Sequence, residues 1–128
     1  MKRLCLSLVF CILFLPLFSQ EVKWTKKIWD SDKYAAFTSM AYDGRYFYCS
    51  FREGDAHVAS ENYAYGSIHV LRSRNGRKWK DYIPFRNEGE DLRDPHLLVT
   101  PDSKLMLLVE SVSFKGKDAI SRSTMVSF

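Results

Sequence analysis

The sequence is poor in the residues that cross-link or punctuate small folds. It holds three cysteines, four prolines and six glycines in 128 residues. Cys5 and Cys11 lie in an apolar N-terminal stretch, so a chain processed after that stretch keeps only Cys49 and closes no intramolecular disulfide. A lone Cys within a strand-like run is expected to be a small buried hydrophobe rather than a nucleophile. Charge of one sign is also scarce. The formal net charge of +4 falls to +2 once Lys2 and Arg3 are removed, too weak an excess to indicate nucleic acid or an anionic membrane surface as a partner. Long segments with helical apolar spacing are missing, which argues against a helical bundle. Isolated histidines give no metal site, and no cofactor is expected.

The single long hydrophobic run is Leu4 to Phe18, preceded by Lys2 and Arg3. It is short for a bilayer span, lacks a following basic cluster, and has Ser19 as a small residue for cleavage. Residues 1–19 are therefore expected to be a signal peptide, with the mature chain secreted or periplasmic and free of the membrane after cleavage. An uncleaved anchor is the alternative. Neither cysteine follows the small residue that a lipoprotein site requires.

Short runs rich in β-branched, aromatic and aliphatic residues dominate the remainder: 36–42, 46–52, 68–73, 80–85, 96–100 and 105–110. Turn chemistry separates many of them, at Asp43-Gly44, Asn75-Gly76 and Pro101-Asp102-Ser103. Lys23 to Trp29 is expected to add an edge strand. Leu105 to Val109 is apolar on both alternating faces, as for a strand covered from both sides. The polar stretches 53–66 and 85–91 are long loops, which are often functional.

An internal repeat emerges when the halves are superposed. Phe37 to Glu53 and Leu92 to Glu110 each read as strand, turn and strand ending in an acid, with Glu53 and Glu110 offset by 57. Arg72 and Phe128 are offset by 56. Each unit has the size of a four-stranded propeller blade. The second copy reaches Phe128 where its turn motif is due, so the chain is expected to be incomplete, since two blades cannot close radially. A compact two-sheet β domain is the competing expectation.

Ser73-Arg74-Asn75-Gly76-Arg77-Lys78-Trp79 resembles the Asp-box (BNR repeat) of bacterial sialidases, with Asn75 in the place of Asp, a residue that serves the same turn. Ala36-Phe37-Thr38-Ser39-Met40, Cys49-Ser50-Phe51-Arg52-Glu53-Gly54, His57, Gly66-Ser67-Ile68 and Asp91-Leu92-Arg93-Asp94-Pro95-His96-Leu97 extend the resemblance to exo-α-sialidase-like proteins over about residues 34 to 128. The resemblance implies an all-β six-bladed propeller, of which blade one (about 34–85) and blade two (about 91–128) occupy residues 20–128.

It further implies a glycoside hydrolase that cleaves terminal sialic acid or a related sugar, with carbohydrate or a glycoconjugate as its partner. Such a site clamps the substrate carboxylate with arginines, because guanidinium gives bidentate charge-assisted bonds. It also needs an acid and a Tyr–Glu nucleophile pair. Leu92-Arg93-Asp94-Pro95 resembles the family's arginine motif, with Asp94 where Ile is usual; Thr38 stands where the first blade's arginine would be. Arg93, Arg52 and His57 are the expected substrate-binding residues, and Asp55, Glu53 and Asp94 the expected catalytic carboxylates. Solvated loop charge is the bland reading of each. Arg93-Asp94-Pro95 also resembles a segment of five-bladed arabinanase- and invertase-like glycosidases, where the Asp stabilises the transition state. The Tyr nucleophile and its Glu partner belong to later blades, so this chain is expected to be inactive alone. A non-catalytic carbohydrate-binding propeller is the alternative.

Overall fold

A computed structural model describes residues 21–57 and 66–128. The expected signal peptide lies outside the described residues. Seven strands form: β1 (Tyr34–Tyr42), β2 (Phe47–Gly54), β3 (Ser67–Ser73), β4 (Lys80–Phe85), β5 (Asp91–Val99), β6 (Leu105–Lys115) and β7 (Asp118–Ser127). They make two antiparallel sheets, sheet A in the order β1-β2-β3-β4 and sheet B in the order β5-β6-β7. The fold is all-β, with no helix among the described residues.

The turns form where their chemistry predicts. Asp43 Oδ1 accepts the amides of Arg45 at 2.7 Å and Tyr46 at 2.6 Å, while Gly44 supplies the positive φ of 90°. In the Asp-box-like turn between β3 and β4, Asn75 Oδ1 accepts the amides of Arg77 (3.0 Å) and Lys78 (3.1 Å). Ser73 Oγ accepts the Gly76 amide at 3.0 Å, and Trp79 Nε1 donates to the Gly76 carbonyl at 2.8 Å. The Trp thus folds over its own turn. Asn does the work of Asp because the turn needs only a side-chain oxygen.

The repeat is visible in backbone geometry. In β1, Phe37 and Thr38 stand opposite one residue of β2; in β5, Asp94 and Pro95 stand opposite one residue of β6. Phe37 and Asp94 both carry positive φ, 59° and 45°, and are 57 residues apart. Past the turn that follows each bulge the offset changes. The β1–β2 turn spans 43–46 and the β5–β6 turn spans 100–104, one residue more. Ala36 pairs with Arg52 and Arg93 with Glu110, so Arg52 and Glu110 are equivalent, with an offset of 58. The acid-on-acid superposition of Glu53 and Glu110 is therefore corrected by one residue, which in a strand reverses the face.

The sheets pack face to face around Tyr48, Ile68 and Val70 of sheet A and Leu92, Leu97, Leu107 and Val109 of sheet B. Ser39 Oγ accepts the Leu97 amide at 3.0 Å, tying β1 to β5. Two further expectations are corrected. Residues 23–29 form no strand; instead Trp29 packs its ring on Phe51 (centroids 5.2 Å) and His69 (4.6 Å), covering the back of sheet A. Leu107 and Val109 are buried, whereas Met106 and Leu108, on the other face of β6, are only half-buried. Cys49 is buried as expected, and burial pushes its thiol above the ordinary value.

Candidate functional site

The expected site residues converge at one end of the sheets, where β2 ends and β5 begins. Asp91 occupies the centre and is fully buried. Arg52, equally buried, donates Nη2 to Asp91 Oδ1 at 2.6 Å and Nε to the same oxygen at 3.2 Å. Its Nη1 donates to the Ala56 carbonyl at 2.9 Å. The Gly66 amide reaches Asp91 Oδ1 at 2.6 Å, and the Leu92 amide donates to the Gly66 carbonyl at 3.1 Å. A Cβ on Gly66 would lie 2.3 Å from Arg52 Nε and 2.6 Å from Asp91 Oδ1; only glycine admits the pair. Arg52 is thus an internal strut joining the two sheets, a correction to its expected role as a substrate clamp. Every guanidinium nitrogen is engaged by Asp91 or Ala56, and the side chain has no exposed surface to offer a sugar carboxylate.

Arg93 sits over this strut. Its Nε lies 3.0 Å from Asp91 Oδ2, and its Nη2 donates to the His57 carbonyl. The side chain retains 15% exposure, unlike the fully buried Arg52. His57 is exposed and stacks on Tyr34 (centroids 5.6 Å, interplanar 13°) while Phe37 meets it at 5.3 Å. The Phe37 bulge is what turns that ring outward, leaving it 38% exposed. Asp94, at the equivalent bulge, is exposed beside Arg93. An aromatic platform, a histidine and an arginine therefore share one surface, with Asp94 next to Arg93 in the chain.

The other two carboxylates are committed elsewhere. Glu53 accepts Trp29 Nε1 at 2.9 Å, Ser31 Oγ at 2.6 Å and His69 Nε2 at 3.2 Å. Burial alone would raise its pKa, but these donors and the His69 charge outweigh burial and hold it below its ordinary value. That direction is opposite to what a general acid needs. Asp55 pairs with Lys33 at 3.3 Å. An open cleft of about 400 Å³ adjoins Glu53 and is lined also by Lys33, Gly66, Ser67, Arg86 and Glu88. Among the described residues, no group of three or more His, Cys, Asp and Glu side chains is placed to hold a metal ion.

Asp91 and Gly66 are the residues that sequence reasoning undervalued. Both stand in the stretches that carry the family resemblance, yet a buried acid contacting an arginine 39 positions away leaves no one-dimensional signal. No protein-family model, curated protein or solved structure matches the chain.

Proposed function

We propose that the two sheets are successive blades of a sialidase-like propeller in an exported protein, and that the Tyr34–Phe37–His57–Arg93–Asp94 surface binds a glycan. The observation that carries the glycan reading is the aromatic platform beside a partly exposed arginine, with the exposed carboxylate of Asp94 next to it in the chain. Aromatic faces cover the apolar side of a sugar ring, and charged groups select among its substituents. The neighbouring cleft of about 400 Å³ suits a monosaccharide-sized group, with Lys33 and Arg86 set against Glu53 and Glu88 in its lining; the acidic-sugar assignment rests on Arg93.

The blade reading is supported by the repeat itself. Ala41, Tyr48 and Val70 on the front of sheet A are covered by sheet B. Their equivalents in sheet B are Leu98, Met106 and Val126, which share one face through the pairs Leu98–Met106 and Leu108–Val126. Leu98 and Val126 are 37% and 51% exposed, so this front is apolar and uncovered by any described residue. A further blade would cover it as sheet B covers sheet A.

The test is equilibrium binding of the full chain to sialylated glycans and their desialylated counterparts, with turnover of a fluorogenic sialoside measured in parallel. Preference for the sialylated form, weakened about tenfold or more by Arg93→Ala, is expected. Equal binding to both forms would sink the acidic-sugar assignment. Binding without turnover identifies a binding module. Turnover that collapses in Asp94→Asn favours the enzyme reading, for which Asp94, exposed beside Arg93, is the carboxylate best placed.

A further inference from the structure

The opposite end of sheet A gathers charge that the small net charge conceals. Arg45 in the β1–β2 turn, Arg72 at the end of β3, Arg74, Arg77 and Lys78 in the β3–β4 turn, and Lys80 at the start of β4 all fall there, because Tyr48 pairs with Arg72 and Arg72 with Lys80. None of these cations forms an ion pair among the described residues. Lys26 adds to them by donating Nζ to the Arg77 carbonyl at 2.7 Å. The acids of this end face other partners. Asp43 is held by the Arg45 and Tyr46 amides and by Tyr48 Oη at 2.9 Å, and Asp81 lies 3.9 Å from His69 Nδ1.

Tyrosines organise the cluster. The Arg72 guanidinium lies 4.6 Å from the Tyr46 ring and 4.4 Å from the Tyr82 ring. Arg45 and Arg74 each lie 5.2 Å from the Tyr46 ring, and Arg74 Nε donates to Tyr46 Oη at 3.2 Å. Cation–π attraction offsets the mutual repulsion of these groups and fixes their positions, so less freedom is lost when an anion binds. An open groove of about 340 Å³ is lined by Tyr46, Arg72, Arg74, Lys78 and Lys80.

We propose that this groove binds a linear polysaccharide bearing sulfate esters. Guanidinium forks and ammonium groups along one groove match a chain of oxyanions. A single-stranded nucleic acid fits less well, because its bases need open aromatic faces, and the rings here already carry guanidinium groups. Arg52 and Tyr46 are six positions apart along the β2 direction, roughly 20 Å at 3.3 Å per residue. The groove is therefore separate from the glycan surface proposed above, and its test is independent of that reading.

Binding of the full chain to dextran sulfate, to uncharged dextran and to single-stranded DNA is compared at about 0.1 M salt. Dextran sulfate is expected to bind, dextran not, and affinity is expected to fall as salt rises. The exposed-residue variant Arg74→Gln/Lys78→Gln/Lys80→Gln is expected to bind dextran sulfate at least about tenfold more weakly with an unchanged melting temperature. The control Lys115→Gln/Lys117→Gln/Arg122→Gln, equal in net charge but placed on the β6–β7 hairpin, is expected to change affinity by less than about twofold. Equal weakening by both variants overturns the site in favour of net charge alone. Wild-type preference for DNA over dextran sulfate overturns the polysaccharide. Should the triple variant fail to fold, Arg74→Gln and Lys78→Gln singly are expected to weaken binding about two- to fourfold, and no change in either overturns the groove.

Discussion

Arg52, Asp91 and Gly66 show how one buried ion pair constrains its neighbours. Removing the Asp91 charge leaves Arg52 unpaired in a site without solvent, which typically costs about 3–5 kcal/mol. Asp91→Asn is therefore expected to lower unfolding free energy by that order in urea denaturation, and Gly66→Ala by about 2–3 kcal/mol through overpacking. Variants within about 0.5 kcal/mol of wild type would show that the pair is dispensable. Glu53 gives a pH signature. Its carboxyl is held below its ordinary value of 4.5, so the stability it supplies is fully present above that pH and is lost as pH falls through the folded value. Glu53→Gln is expected to cost about 1–2 kcal/mol at neutral pH and to flatten the acid limb below pH 4.5. An acid limb identical in wild type and variant would refute the linkage. Residue types were legible in the sequence, but partners were not. Arg52 looked like a ligand-binding arginine because an exposed and a buried arginine read alike until an acid from a distant strand is brought to it.

At the scale of elements, legibility followed local chemistry. Asp43-Gly44 and Asn75-Gly76 announced their turns because a side-chain oxygen and a positive-φ glycine act within four residues. Asn75→Asp is expected to retain stability, whereas Asn75→Ala, losing two amide acceptor bonds, is expected to cost about 1–2 kcal/mol; thermal unfolding distinguishes them. Equal stability of all three would remove the turn's side-chain bonds from the account. The β-rich composition also marked residues 23–29 as strand-like, yet Trp29 is drawn onto Phe51 and His69 and its indole N–H onto Glu53. Tertiary packing overrode propensity there. In the second half of the repeat the strand-like runs began only at His96 for β5 and left β7 out, because the Asp94-Pro95 bulge interrupts the first and β7 is mostly polar and exposed.

For the whole molecule, the two-sheet architecture was visible in the alternating patterns, whereas which face meets which was not. The uncovered front of sheet B and the edge strand β7, with Ile120 63% exposed, are surfaces that attract other chains. The chain is expected to associate with rising concentration, and Leu98→Lys/Val126→Lys to shift it toward the monomer in light scattering after gel filtration. A concentration-independent monomer would contradict this. The charge clasp between the sheets has a directional consequence. Arg52 of sheet A meets Asp91 of sheet B, but the position equivalent to Arg52 is Glu110, and the position equivalent to Asp91 is Tyr34. A second copy of sheet A docking in place of sheet B would present Tyr34 to Arg52 and entomb a lone guanidinium. Two sheets built on one backbone pattern are thereby made distinguishable: the clasp works as a polarised key, admitting one successor and rejecting a second copy of sheet A.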